Sequence, residues 1–238
     1  KIQQAKAFVV PSANAAEASL VAGLPIVSAQ TLRQLVKQLR HGIEHNCCAQ
    51  PTREEPATTT SPSIASVPSS AAPLTIQHFA RKALAIAAAG GHHLLMVGPP
   101  GCGKTMLARQ LPKILPPLSD SEALELTRLQ SIAGTLGSVT SLVRQRPFRA
   151  PHHSTTAAGL LGGGINPRPG ELSLAHGGVL FLDELTEFPR SILDQLRQPL
   201  EEGVLWISRA RLRCAFPCRV TLVAATNPCP CGWHGDPS

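Results

Sequence analysis

The sequence predicts an α/β fold in which a parallel sheet carries helices on both faces. Three observations lead there. Three short apolar runs, at His93–Val97, Val179–Leu182 and Arg219–Thr226, have the length and composition of strands buried within a sheet. Helical patterns separate them, which is the rhythm of parallel strands joined by crossovers. Each run also stops abruptly at a turn-forming or polar residue, namely Gly98, Asp183 and Asn227.

Read in order, the 238 residues fall into three stretches of different composition. Residues 1–42 begin with a short strand at Ala7–Val10 and continue to a helix over Ser28–Arg40. There Leu32, Leu35, Val36 and Leu39 recur at i, i+3, i+4 and i+7, and Gly42 suits the helix end. A stretch this short is too small to bury an adequate core alone, so it reads as the end of a domain that begins upstream. Residues 43–73 scatter Pro51, Pro56, Pro62, Pro68 and Pro73 among Thr, Ser and Ala with no apolar period, the composition of a flexible linker.

Residues 74–238 carry the α/β pattern. A helix over Ile76–Ala89 closes at Gly90–Gly91, and the first apolar strand follows. A glycine-rich turn then leads into a helix through Leu107, Leu111 and Ile114. Ser119 and Glu122 have the spacing of a capping box and should start the next helix. Residues 133–178 are glycine-rich and mixed, and the second strand at Val179–Leu182 comes after them. Pro189 opens a helix that runs to about Glu202 before Gly203, with Pro199 expected to distort its last turn. The chain starts at Lys1 and stops at Asp236–Pro237–Ser238 without an element boundary, as an internal fragment would.

Composition narrows the function. Hydrophobic residues make up 43% of the chain, enough for a real core. No apolar run approaches the length of a membrane span, and Lys1–Val10 lacks the pattern of a secretory signal. Seven cysteines without such a signal point to reduced thiols and a cytoplasmic protein with no membrane partner. The formal charge of +7 favours polyanionic partners. Aromatic residues are only 3%, so base stacking is not expected to dominate any nucleic-acid contact.

The chemistry concentrates in three places. Gly98-Pro99-Pro100-Gly101-Cys102-Gly103-Lys104-Thr105 fits G-x-x-x-x-G-K-[ST] between an apolar strand and an amphipathic helix. Its glycines let backbone N–H groups wrap a phosphate, and the helix turns its positive end toward it. Gly98 to Thr105 together with Met106 therefore form the candidate ATP-binding set. Lys104 can neutralise the outer phosphates and Thr105 can ligate Mg²⁺. Val179–Leu182 then ends in Asp183-Glu184, placing two acids at the carboxyl edge of the sheet, where α/β folds bind ligands. Asp183 is the second candidate Mg²⁺ residue and Glu184 the candidate base that polarises water. The third strand ends in Asn227, expected between the other two strand ends and able to orient that water.

These three elements, in this order, are similar to those of the AAA+ P-loop NTPases. Longer stretches narrow the resemblance: Arg149-Ala150-Pro151-His152-His153-Ser154, Pro167-Arg168-Pro169-Gly170-Glu171-Leu172-Ser173-Leu174-Ala175-His176, Phe181-Leu182-Asp183-Glu184-Leu185 and Asn227-Pro228-Cys229-Pro230-Cys231-Gly232. They resemble the magnesium-chelatase-like AAA+ proteins of the ComM/YifB type. Leu84–His92 resembles the stretch before that family's phosphate loop, and Ala13-Asn14-Ala15-Ala16-Glu17-Ala18 the end of its Lon-protease-like N-terminal α+β domain. The resemblance implies a three-layer αβα core over 74–238, with a helical lid expected beyond Ser238. It also implies an ATP-hydrolysing motor, a hexameric ring acting on branched DNA in transformation and recombination. Two alternatives stay open: a chelatase-type motor that drives metal insertion into a porphyrin, and a truncated nucleotide-binding fragment without activity.

Secondary signals remain. Gly203 to Gly235 contains four arginines and no acid. Arg209, Arg211 and Arg213 are spaced by two, so on one extended strand they share a face, and Val204–Ile207 is a candidate partner strand. They are the candidate DNA contacts. Arg144, Arg146 and Arg149 form a second basic cluster. Cys229-x-Cys231 with Cys214 and Cys218 invites a zinc reading, although that spacing lies outside the usual pattern. His152 and His153 read as structural rather than metal-ligating.

Overall fold

The computed structural model describes residues 7–21, 25–40, 74–136, 141–164, 166–209 and 212–229, and the chain divides into two compact units. The linker expected at 43–73 lies outside the described residues.

The smaller unit pairs β1 (Phe8–Pro11) with β2 (Ile26–Ala29) in parallel, in register from Phe8 opposite Ile26 to Pro11 opposite Ala29. Between them lie a 3₁₀ turn, Ser12–Asn14, and α1 (Ala15–Ala18). The following helix, α2 (Leu32–Arg40), starts later than the apolar period predicts, because Ser28 and Ala29 belong to β2. Thr31 sets its start, its hydroxyl accepting from the Gln34 N–H at 3.3 Å.

In the larger unit, α3 (Leu74–Gly90) leads to β3 (Leu94–Val97), α4 (Lys104–Ala108), α5 (Leu111–Ile114) and α6 (Asp120–Ala133). Then come β4 (Phe148–Arg149), α7 (Ala157–Leu161), the two-residue strands β5 (Gly162–Gly163) and β6 (Arg168–Pro169), and α8 (Glu171–Leu174). The chain continues through β7 (Val179–Leu182), a 3₁₀ turn at Leu185–Glu187, α9 (Arg190–Glu202), β8 (Val204–Arg209), β9 (Leu212–Pro217) and β10 (Thr221–Thr226). Four of these strands form one parallel sheet in the order β3-β10-β7-β4.

The side chains of β7 explain the layering. All four are buried, and they alternate between two cores. Val179 and Phe181 pack with Leu84 and Ala88 of α3, Ala108 of α4 and Leu111 of α5. Leu180 and Leu182 pack on the other face with Leu129 of α6, Leu160 of α7, Leu172 of α8, and Ile192 and Leu196 of α9. Helices thus cover both faces of a parallel sheet, the three-layer αβα arrangement.

The apolar run at 93–97 predicts a fully buried strand, but β3 is the edge of the described sheet. Leu94 and Met96 pack inward, while Leu95 and Val97 are 58% and 60% exposed. The helix expected through Leu107, Leu111 and Ile114 is two short helices, since Pro112 has no N–H to continue the ladder. The third strand begins at Thr221 rather than Arg219. The Ser119–Glu122 capping box is present, with Glu122 Oε2 accepting from the Ser119 N–H at 2.8 Å and Ser119 Oγ from the Glu122 N–H at 3.3 Å. Those bonds from Ser119 hold the Glu122 carboxyl below its ordinary range. Helix α9 runs through Pro199 to end on Gly203 at φ 68.

The basic run after Gly203 does not lie on a single strand. Strand β8 ends at Arg209 and β9 begins at Leu212, pairing antiparallel with Arg209 opposite Leu212. The chain reverses inside the run, so the three arginines do not share one strand. The physical reason is the pairing: this reversal lets Leu205 and Ile207 of β8 and Phe216 of β9 all reach the core.

Buried His176 ties the base of the sheet together. Its Nε2 lies 2.9 Å from Glu125 Oε2, and its Nδ1 accepts the Arg219 N–H at 3.1 Å. Burial pushes its pKa below the ordinary value, with the Glu125 carboxylate pulling the other way. No helix among the described residues is long and apolar enough to cross a membrane.

Candidate active site

Three neighbouring parallel strands, β3, β10 and β7, end at the same edge of the sheet, and their next residues are Gly98, Asn227 and Asp183. The Gly98 N–H donates to Thr226 O at 3.2 Å, carrying the β3–β10 ladder one step into the loop. The loop then turns through Gly101 at φ 77 and Gly103 at φ 90, conformations that side chains resist, and Gly103 caps the start of α4.

That turn aims Lys104 and Thr105 at the strand ends. Lys104 Nζ donates to the carbonyls of Gly98 at 2.6 Å and Pro99 at 2.9 Å, and to Asn227 Oδ1 at 3.1 Å. The Thr105 hydroxyl donates to Asp183 Oδ2 at 2.9 Å. Asp183 Oδ1 accepts the Glu184 N–H at 3.0 Å, so both carboxylate oxygens are engaged. Lys104, Thr105, Asp183 and Asn227 are half-buried, shielded enough for their electrostatics to count and open enough for a ligand to reach. Pro99, Pro100, Cys102 and Met106 are exposed along the loop, and Cys102 Sγ lies 3.8 Å from Lys104 Nζ.

Glu184 sits at φ 51, ψ 52, the only non-glycine residue at positive φ among those described. A left-handed residue costs roughly 1–2 kcal/mol, and such strain gathers at functional sites. Its Oε2 lies 3.4 Å from His153 Nδ1. From the sequence alone His153 has only a structural role. Its place beside Glu184 is a tertiary contact that no spacing announces.

The donor set suits Mg²⁺. Thr105 Oγ1, in the first turn of α4, and the Asp183 carboxylate, just after β7, are hard oxygen ligands brought within hydrogen-bond distance, and Mg²⁺ uses few protein oxygens beside phosphates and water. Thr105 and Asp183 are therefore the residues that would hold it.

The other candidates fare differently. Arg213 is exposed, its guanidinium 4.4 Å above the ring of Trp206, which is itself 50% exposed. The side chain of Arg209 and the whole of Arg211 lie outside the described residues. The outward direction of Trp206 between buried Leu205 and Ile207 follows from strand alternation, the sequence signal by which it could be found. The second basic cluster is used internally. Arg144 pairs with Asp120 at 2.8 Å, Arg146 donates to the carbonyls of Pro116 and Gly177, and Arg149 grips both oxygens of Glu171 at 2.6 Å. The bond to Glu171 raises the Arg149 pKa further.

Of the four cysteines weighed for zinc, Cys231 lies outside the described residues. Cys218 is buried, its thiol donating to Pro199 O at 3.4 Å, and burial pushes its pKa up to about 11, which opposes the thiolate that zinc requires. Among the described residues no three His, Cys, Asp or Glu side chains gather as a metal cage.

Residues 72–238 match the family model described as magnesium chelatase, subunit ChlI. The chain is 47% identical over 226 residues to an uncharacterized protein of Mycobacterium tuberculosis, covering 94% of this chain and 43% of that one. It is 47% identical over 236 residues to competence protein ComM of Haemophilus influenzae, covering 95% and 44%. It is 52% identical over 158 residues to the uncharacterized protein YifB of Escherichia coli, covering 66% and 31%. The chain thus spans less than half the length of these curated relatives.

Proposed function

This chain belongs to the family of magnesium chelatase subunit ChlI, and on that basis we propose that it is the ATP-hydrolysing core of an AAA+ ring motor acting on branched DNA. The observation that carries the reading is the convergence of Lys104, Thr105, Asp183, Glu184 and Asn227 at the ends of three adjacent parallel strands. In this reading the 98–105 backbone and Lys104 bind the β- and γ-phosphates, and Thr105 and Asp183 hold Mg²⁺. The bound cation would supply charge neutralisation on the phosphate oxygens. Glu184 accepts the proton of the attacking water and Asn227 orients that water. Lys104 already reaches Asn227, so one cation would face both the phosphates and the group that places the nucleophile.

A DNA substrate is supported by the net charge of +7, by the arginines of the β8–β9 hairpin, and by the likeness to a protein named for competence. Assembly as a homohexameric ring is part of the same proposal. The test is the ATPase rate of the full-length protein with and without a synthetic four-way DNA junction. Stimulation of about tenfold or more by the junction supports the DNA motor. A robust basal rate that the junction leaves unmoved removes DNA as the substrate and makes a porphyrin-binding partner, the chelatase-type reading, the next to test. A full-length protein that binds ATP without hydrolysing it leaves only a nucleotide-binding role.

A further inference from the structure

The chain has no Tyr and only two Trp, and one of these, Trp206, stands exposed in the middle of a strand. Its neighbours Leu205 and Ile207 are buried in the core, which Phe216 of β9 helps to fill beneath the hairpin. An indole left outside that core forgoes the burial its large apolar area would gain. It is accompanied by Arg213, whose guanidinium lies 4.4 Å from the ring centroid. Trp206 is paired with Ala215, two residues after Arg213, so the two side chains are diagonal neighbours on the outer face of the hairpin. Ser208 and Ala215 are exposed on that same face. We propose that Trp206 is a stacking site for an unpaired base, so that the DNA engaged by the β8–β9 hairpin is single-stranded there.

Every base has a π-face, and an indole is the largest side-chain ring that can stack on one. The guanidinium over the ring holds it in place and sets a positive charge where the phosphates of a stacked strand must pass. In a duplex the bases are stacked on one another, so this contact is open only to a base that has left the stack. Trp206 also lines a cleft of about 320 Å³ between residues 204–208 of β8 and Gln195 and Gln198 of α9. Each of these amides spends one N–H within the helix, Gln195 on Ser191 O and Gln198 on Glu202 Oε1, both at 2.8 Å. Each keeps a second N–H and a carbonyl oxygen. Amides that offer both donors and acceptors suit the edge of any base, so the site is sequence-tolerant. A single ring supplies a single stack and leaves most of the affinity to phosphate contacts, in keeping with a basic chain poor in aromatic residues. Trp206 belongs to the hairpin and not to the strand ends that carry the ATP site, so it should act on DNA and not on nucleotide.

This inference rests on DNA being the substrate, and the experiment separates the two. The unaltered full-length protein and its Trp206→Ala, Trp206→Phe and Trp206→Leu variants are titrated against three fluorescein-labelled DNAs in the presence of a non-hydrolysable ATP analogue. The DNAs are an oligo-dT strand, the same strand with its central bases replaced by abasic sites, and a blunt-ended duplex. Trp206→Ala should weaken binding of oligo-dT about tenfold and leave duplex binding within about twofold. Trp206→Phe should recover most of the loss, and Trp206→Leu, which keeps apolar bulk without a π-system, should resemble alanine. The unaltered protein should bind the abasic strand about as weakly as Trp206→Ala binds oligo-dT. Trp206→Ala should lose nothing more on the abasic strand, because ring and base are two halves of one contact. ATPase without DNA should be the same in all four proteins, which shows the ATP site intact. Tight binding of oligo-dT by Trp206→Leu would reduce Trp206 to apolar bulk and overturn the proposal. So would equal losses by Trp206→Ala on the oligo-dT and abasic strands, or DNA binding that Trp206→Ala leaves unmoved. A protein with normal ATPase that binds none of the three DNAs would remove the DNA reading itself and the stacking site with it.

Discussion

The hydroxyl of Thr105, in the first turn of the helix after the phosphate loop, donates to Asp183 Oδ2 at 2.9 Å across 78 residues of sequence. A helix start and a strand end far apart in the sequence therefore present their hard oxygens to the same point. Removing either oxygen should weaken nucleotide binding only when Mg²⁺ is present. Thr105→Ala and Asp183→Asn should each lose about tenfold in affinity for Mg·ATP, the scale of one charge-assisted contact. With EDTA the variants and the unaltered protein should bind ATP alike. Titration of a fluorescent ATP analogue at several Mg²⁺ concentrations reads the difference, and an equal loss with and without the metal would dissociate these residues from it.

Lys104 stands between the loop carbonyls and Asn227 Oδ1. Substituting Lys104 by Ala removes the charge that would meet the outer phosphates, and ATP affinity should fall between about 10- and 100-fold. Asn227→Ala removes the group proposed to orient the nucleophile, along with one of the acceptors of Lys104. It should keep ATP affinity within a few-fold while hydrolysis drops by about 100-fold. Equilibrium binding and steady-state ATPase rates, measured together, separate the two roles. A parallel loss of binding in Asn227→Ala would make it a support for Lys104 instead.

The site's three strand ends were legible because each strand is a short apolar run that stops at a chemically distinctive residue. The alternation of Val179 and Phe181 with Leu180 and Leu182 between two cores follows from the same run. Lateral order was partly legible: Asn227 was expected between the other two ends, and β10 does lie between β3 and β7. The edge position of β3 was not, since an apolar run does not say whether a second strand pairs with its outer backbone edge. The hairpin partner Val204–Ile207 was legible, but the reversal falls after Arg209 instead of before it, because Ala210-Arg211 carries none of the Gly, Asn or Asp signals of a tight hairpin. The contact of His153 with Glu184 arises only once β4 and β7 lie side by side.

His176 should make stability depend on pH. Burial holds its folded-state pKa below the ordinary 6.5, so the unfolded chain takes up a proton at a higher pH than the folded one. Stability from this group is complete above about pH 6.5 and falls as pH drops from there through the folded-state value. Protonation at Nδ1 would also abolish the bond from the Arg219 N–H. Melting temperature should therefore fall between pH 7.5 and 5.5. His176→Asn, which keeps an acceptor for Arg219 but cannot titrate, should flatten that slope even if its melting point at pH 7.5 is lower. An unchanged slope would assign the dependence to other groups.

Arg213 lies exposed against Trp206 on the β8–β9 hairpin. If it meets a DNA phosphate, Arg213→Ala should weaken binding of all junction sequences alike and make the slope of log affinity against log salt shallower by about one. Fluorescence anisotropy over a salt series reads this. A slope unchanged by the substitution would place the arginine away from the DNA backbone.

Cys102 offers a chemical test of the phosphate loop that needs no change in fold. Its thiol is exposed and lies 3.8 Å from Lys104 Nζ, inside the loop whose backbone would cradle the phosphates. A maleimide adduct there adds bulk where a phosphate must approach closely, so alkylation should weaken ATP binding by tenfold or more, on the order of one lost strong contact. Bound ATP should shield the thiol and slow the reaction. Cys218, buried and with its pKa raised to about 11, should react far more slowly under the same conditions. Cys102→Ser keeps the loop's size and removes the nucleophile, so it should bind ATP normally and be indifferent to the reagent. Mass spectrometry of the modified peptide, followed through an ATP titration, ties the loss of binding to this residue. Alkylation of Cys102 that leaves ATP affinity intact would mean that the nucleotide does not occupy the loop.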